Sequence, residues 1–283
     1  MLQLTCLTWP YSRFSFERAL QGISAAGYRY VAFGLPHEGH SLPDESDENA
    51  AARIRLQLEK YRLEPVLLVS TEQLSVDQPI ERTRRRMEFA KLLGIGELLS
   101  LGTSSYRMFP DIPIPEAEMN VINRAFASKF RRVAEEAERY GVRVSIKPHT
   151  GNSGSAELLK RTIAEIGSPF IKASYDPGNV RFYEGIDPVA DFPLIAGETI
   201  SFVTKDHCGE RGNASFPLPG EGEIDFSRLL TTLQSVHFNG PLIVERVDVP
   251  NRLPLLAEEI DERIAKARKN LIVLLERIGY RYQ

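Results

Sequence analysis

In the second half of the chain, polar residues able to do chemistry stand directly after short aliphatic runs. Lys147 and His149 follow Val144-Ser145-Ile146, Asp176 and Asn179 follow a run ending at Tyr175, Lys205, Asp206 and His207 follow Val203, and Glu245 and Arg246 follow Leu242-Ile243-Val244. Carboxylates and imidazoles in one group can transfer protons or hold a divalent cation, and an ammonium can stabilise an oxyanion. The first half offers Trp9, then His37 and His40 in the loop Pro36-His37-Glu38-Gly39-His40, then only Ser70, Glu72, Thr103 and Ser104 at comparable places. The spacing of His37 and His40 is not a strong metal motif.

Such residues converge only if the runs before them are strands of one sheet. Short apolar runs alternate with longer amphipathic stretches along the whole chain, which predicts βα repetition. The strand candidates are 2–8, 28–35, 64–70, 97–102, 143–148, 171–176, 200–206 and 241–246. Helices are expected over 15–26, 47–61, 80–93, 116–140, 156–166 and 226–237, with a last one over about 254–279. Gly27, Gly94 and Gly141 stand where a helix should stop, because glycine tolerates the left-handed conformation that closes a helix.

Eight units of about 35 residues suit a single α/β domain over 1–283, a (β/α)8 TIM barrel. A doubly wound open sheet is the alternative, weakened because the turn Thr8-Trp9-Pro10-Tyr11-Ser12 has no glycine-rich phosphate loop. The stretch 103–115, with Pro110, Pro113 and Pro115, has the length of a lid or of a stiff surface connection. The run Arg84-Arg85-Arg86 reads as a solvated helix face, and His237, before Asn239-Gly240, reads as a cap. In a barrel of this kind, functional groups project from the C-terminal ends of the strands.

Composition narrows the partners. The 283 residues carry 35 Lys plus Arg against 38 Asp plus Glu, a net charge of −3, and 42% hydrophobic residues, which is ordinary for a globular protein. That balance gives no global drive toward nucleic acid, whose binding rests on neutralising phosphates. Cys6 and Cys208 are too few for a disulfide framework. No apolar run approaches the roughly 18 residues of a membrane span, and the first residues lack the pattern of a signal peptide, so a cytoplasmic location is expected. A small molecule is the expected partner, and a homo-oligomer stays open.

The later half of the chain resembles the xylose isomerase-like TIM barrels. The residues that carry the resemblance are Lys205-Asp206-His207, then Gly220-Glu221-Gly222-Glu223-Ile224-Asp225-Phe226, then Gly240-Pro241-Leu242-Ile243-Val244-Glu245. That superfamily holds sugar isomerases, sugar and sugar-phosphate epimerases, inosose dehydratases and the endonuclease IV type of repair enzyme. The resemblance implies a divalent metal, Mn²⁺, Mg²⁺ or Zn²⁺, on a Glu, an Asp, a His and a Glu at the ends of strands five to eight. Asp176 and Glu245 match this pattern. Lys147 stands where the first Glu is expected, Val203 where the His is expected, and Asn179 where a further His is often found. Replacing a carboxylate by an ammonium puts a cation where the metal would lie. Lys147 could pair with Asp176 and Glu245 in the metal's electrostatic place, or His207 and His149 could complete a displaced metal site with those two carboxylates.

The activity implied is that of an isomerase or epimerase on a sugar, sugar phosphate or sugar acid, by proton abstraction next to a carbonyl through an enediolate. Glu245, Lys147 and His149 are the expected catalytic residues; Asp176, Glu245 and His207 are the metal ligands if a metal binds. Trp9, His37, Asn179, Arg181, Lys205 and Arg246 are expected to contact substrate. A metal-independent lyase, decarboxylase or aldolase is the alternative suggested by Lys147, although a Schiff base would need that lysine's pKa lowered. A sugar-binding barrel without turnover is the other alternative. DNA repair is disfavoured, because five histidines and a broken ligand pattern leave too little for a multinuclear cluster.

Overall fold

The computed structural model describes residues 1–45, 47–249 and 254–283. Eight parallel strands close into a barrel: β1 Gln3–Leu7, β2 Tyr30–Phe33, β3 Glu64–Val69, β4 Glu97–Leu101, β5 Arg143–Lys147, β6 Ile171–Tyr175, β7 Thr199–Val203 and β8 Pro241–Val244. Each pairs with its neighbours in sequence, and β8 closes on β1 through registers such as Leu4 with Leu242. Rich in Leu, Val and Ile, these strands can be buried on both faces, as a parallel barrel requires. The long helices on the outside are α1 Phe16–Ala25, α2 Ala50–Lys60, α3 Ile80–Leu92, α4 Glu116–Tyr140, α5 Ala156–Ile166, α6 Phe226–Ser235 and α7 Ala257–Arg277.

Sequence chemistry sets where these helices begin and end. The side chains of Ser15, Ser155 and Asp225 cap α1, α5 and α6 by accepting from the backbone N–H of Arg18, Leu158 and Arg228. Gly141 ends α4 at φ 66°, as the helix-stop reading expects. On α4, Phe126, Phe130, Val133, Ala134 and Ala137 are buried at the three-and-four spacing of one helical face. Two apolar layers result, one between strands and helices, the other inside the barrel.

Inside the barrel, the two-residue period of each strand stacks three levels. At the N-terminal end, Glu97 Oε1 accepts hydrogen bonds from Ser145 Oγ at 2.5 Å and Ser201 Oγ at 2.6 Å, and Ser201 also bonds Ser174 at 2.7 Å. Above this lies an aliphatic level with Leu67, Leu99, Val203 and Ile243. At the C-terminal mouth the level splits: Leu101 is the register partner of Lys147, so an aliphatic strand end meets a charged one.

One sequence expectation is corrected. Arg86 is not on a solvated face: it is fully buried, since it shares the inward face of α3 with Thr83, Met87 and Ala90. Its guanidinium donates to Ser70 Oγ at 3.0 Å and to the Val69 carbonyl at 2.5 Å, tying α3 to the end of β3. Its neighbour Arg84 is half-exposed and pairs with Glu136, while Arg85 is exposed. The stretch 103–115 contains a short antiparallel hairpin, in which Tyr106–Met108 pairs with Ile112–Pro113.

Burial raises the Glu97 carboxyl from 4.5 to about 7, against the pull of its serine donors. The folded state therefore holds this proton more tightly than the unfolded chain does. The stability so gained is complete below about pH 4.5 and is lost as pH rises through about 7. Glu97→Gln should remove that loss, so the variant's urea stability relative to the parent should be greater at pH 8.5 than at pH 5. Equal differences at the two pH values would contradict the assignment.

Candidate active site

Four strand ends bring four charged side chains together. Lys147 closes β5, Asp176 directly follows β6, Lys205 lies two residues beyond β7, and Glu245 directly follows β8. Lys147 Nζ donates to Glu245 Oε2 at 2.5 Å and lies 3.3 Å from Asp176 Oδ2. Lys205 Nζ reaches Asp176 Oδ2 at 2.8 Å, Glu245 Oε1 at 2.9 Å and Asn179 Oδ1 at 2.8 Å. Asn179 in turn donates from Nδ2 to the Pro148 carbonyl and from its backbone N–H to Asp176 Oδ1. All four charged residues are less than a tenth exposed, so two ammoniums and two carboxylates balance in a desolvated place.

That balance fixes the protonation states. Burial alone would lower Lys205, but Asp176 and Glu245 outweigh it and hold the ammonium above its ordinary value. Burial alone would raise Glu245, but Lys147 and Lys205 hold it well below the usual carboxylate range. Lys205 is thus a hydrogen-bond donor rather than an amine nucleophile, and Glu245 is a weak base.

A divalent metal does not fit this donor set. It would need the inner oxygens of Asp176 and Glu245, which already accept from ammonium groups, and two cations would face it at close range. Val203 brings no donor to the place where the family pattern has a histidine. His207 turns away: its Nε2 lies 2.6 Å from the Asn213 carbonyl, and its ring packs on Phe216. Among the described residues, no three His, Cys, Asp or Glu side chains are grouped to hold a metal.

Next to the ion cluster lies a cavity of about 260 Å³ in the barrel mouth. Lys147 and Glu245 form one side of it, and Trp9, Leu35, Val69, Leu101 and Val203 form much of the rest. His149, at the end of β5, is half-buried, and its ring lies 4.1 Å from that of Tyr183. Burial first, then Lys147 and Lys205, lower its pKa to about 4, so the imidazole is neutral. Tyr183 continues into an aromatic rim: Phe109, from the turn of the hairpin, sits 5.0 Å from Tyr183 and 5.4 Å from Phe182. Arg246 bonds Asp248 and lies 4.0 Å from the Phe216 ring and 5.4 Å from that of Trp9.

The remaining expected substrate contacts are placed elsewhere. His37 is buried, with Nδ1 2.9 Å from the Phe14 carbonyl and Nε2 3.0 Å from Thr8 Oγ1. Arg181 pairs with Glu223. Sequence reasoning missed Tyr183, Phe182 and Phe109, although aromatic residues in strand-end loops were the available signal. It also missed the work of Asp206, whose buried carboxylate accepts backbone N–H bonds from His207 and Ile224 at one oxygen and from Gly220 and Gly222 at the other. A Cβ on Gly222 would lie 2.3 Å from Asp206 Oδ1, which explains a glycine in that motif.

Comparison with known proteins agrees with this architecture. The family model described as xylose isomerase-like TIM barrel matches residues 20–270, and the chain belongs to that family. A xylose isomerase domain protein from Alicyclobacillus acidocaldarius subsp. acidocaldarius is 20% identical, over 98% of this chain and 99% of that one, with a TM-score of 0.74. D-allulose 3-epimerase from Methylomonas sp., solved in complex with D-allulose, is 17% identical over 98% and 97%, with a TM-score of 0.71. The probable 3-DHS dehydratase of Bacillus anthracis is 12% identical over 95% and 98%, also at 0.71. No curated protein matches the sequence.

Lys205→Met should destabilise the fold by about 3–5 kcal/mol, since it leaves two buried carboxylates sharing one ammonium. Urea unfolding measures this, and a loss below about 1 kcal/mol would mean the cluster is hydrated rather than desolvated. Asp206→Asn should cost on the order of 3 kcal/mol in the same measurement, because two backbone donors lose their acceptor.

Proposed function

We propose that this chain is an enzyme of the isomerase or epimerase type that moves a proton on the carbon next to a carbonyl without a metal. The observation that carries the reading is Lys147, whose ammonium is held by Glu245 and Asp176 and also borders the cavity. A substrate carbonyl there accepts a hydrogen bond from Nζ. As His149 takes the proton, the C–H electron pair forms the carbon–carbon double bond and the carbonyl π pair moves onto oxygen. The ammonium stabilises that oxyanion, and return of the proton, at either face or at the neighbouring carbon, completes the reaction. Asp176 and Glu245 hold the two lysine side chains in place, which makes them positioning residues.

The family includes epimerases and isomerases, and the D-allulose complex of a protein with this fold supports a carbonyl compound as substrate. Loss of a leaving group from the same intermediate would give the lyase version, for which the dehydratase neighbour is a parallel. Complete pairing within the ion cluster favours a second reading, a barrel that binds without turnover.

Hydrogen exchange in D₂O, followed by proton NMR with EDTA-dialysed protein and a panel of ketoses, ketose phosphates and 2-oxo acids, tests the proposal. Exchange next to the carbonyl should survive chelation and fall by about 10²-fold or more in His149→Gln and in Lys147→Met. Because the active base is neutral His149, the rate should stay level down to about pH 5 and decline only as pH approaches about 4. Exchange that appears only after Mn²⁺ is added would sink the metal-free mechanism, and binding without exchange would leave the non-catalytic reading.

A further inference from the structure

We infer that the compound bound in the barrel mouth carries an apolar body beside its carbonyl, as a branched-chain 2-oxo acid does, rather than the hydroxyl chain of a sugar. This rests on the proposed reading in one respect, that the cavity beside Lys147 is where the carbonyl binds. The composition of the cavity wall carries the inference. Polar side chains at the cavity are Lys147, Glu245 and Thr71, and the other nine lining residues are aliphatic side chains and Trp9. Lys147 Nζ already serves Glu245 and Asp176, so the N–H it has left goes to the carbonyl and none remains for a hydroxyl. A ketose placed there would leave several hydroxyls against Leu67, Val69, Leu99, Val203 and Ile243. Each unpartnered hydroxyl costs about 1–3 kcal/mol. An isobutyl or phenyl group on the same wall gains roughly 25 cal/mol for every Å² removed from water.

The apolar character is built into the strands rather than incidental. From β1 to β4 the cavity receives Trp9, Leu35, Val69 and Leu101, while the charged groups all come from β5 to β8. The volume, about 260 Å³, lies just below the usual range for ligand pockets and suits a small metabolite. The rim repeats the theme, with the Phe109, Phe182 and Tyr183 rings packed within 5.4 Å of one another. An apolar body in the cavity and a carbonyl at Lys147 describe an apolar carbonyl compound, of which a branched-chain 2-oxo acid is one.

Trp9 is the only tryptophan, so its emission reports the cavity directly. The full-length protein is titrated with 4-methyl-2-oxopentanoate, D-fructose and D-ribulose, with Trp9 fluorescence and calorimetry as readouts. The oxo acid should saturate, with a Kd at least ten-fold below that of either ketose, and shift the Trp9 emission. Leu101→Asn, at a half-buried strand end, should weaken the oxo acid by ten-fold or more; Leu101→Met should leave it within about three-fold. Ketoses that bind as tightly as the oxo acid, an oxo acid that does not bind, or binding indifferent to Leu101→Asn would each overturn the inference. These readouts need no turnover. Oxo acid binding without exchange supports the apolar site while defeating the catalytic reading, and ketose exchange together with a ketose preference does the reverse.

Discussion

The mouth of this barrel depends on charge neutrality achieved out of water. Moving one ammonium or carboxylate into a low-dielectric interior is penalised by several kcal/mol, and only close partners with good geometry recover it. Here each lysine touches both carboxylates, and Asn179 fills the remaining direction on Lys205. No member of the cluster can be exchanged for a neutral residue without stranding another. The turn after β6 is equally constrained, since Asn179 joins Asp176, Lys205 and the Pro148 carbonyl in one network.

Seen in this way, the departures from the family's metal pattern are two parts of one change. Lys147 puts an ammonium where the pattern has a ligand, which makes a second cation in the same space unfavourable. Val203 replaces another ligand by a methyl-bearing wall, which extends the aliphatic interior to the cavity. In the proposed reaction the first supplies the electrophile that a metal would otherwise provide. The second alters which molecules can lie next to it. His149 is drawn into the same system, because burial first, and then the two ammoniums, hold it neutral at ordinary pH.

Much of this fold was legible in the sequence. All eight strands and the seven long helices follow the predicted alternation, because burial on two faces and amphipathic periodicity leave plain marks on Leu, Val and Ile positions. Lys147 was legible as a misfit for a metal and as a partner for Asp176 and Glu245. Lys205 was read only as a substrate contact, since nothing local says that its side chain crosses toward two other strands. His37 offered the same types of clue as His149, yet its ring nitrogens go to Phe14 and Thr8. Arg86 looked like its neighbours Arg84 and Arg85, and only the packing of α3 on β3 distinguishes it. The cavity was illegible because its wall is made of ordinary strand residues such as Leu99, which become a site only when the barrel closes.

The three levels inside the barrel have an electrical consequence. Glu97 and its serines at the base, and the ion cluster at the mouth, are two proton-bearing systems separated by the side chains of Leu67, Leu99, Val203 and Ile243. Aliphatic carbon offers no relay along which a proton can hop, so this level works as an insulator across the barrel axis. A proton lifted at the mouth is confined to the compartment on that side of the aliphatic level.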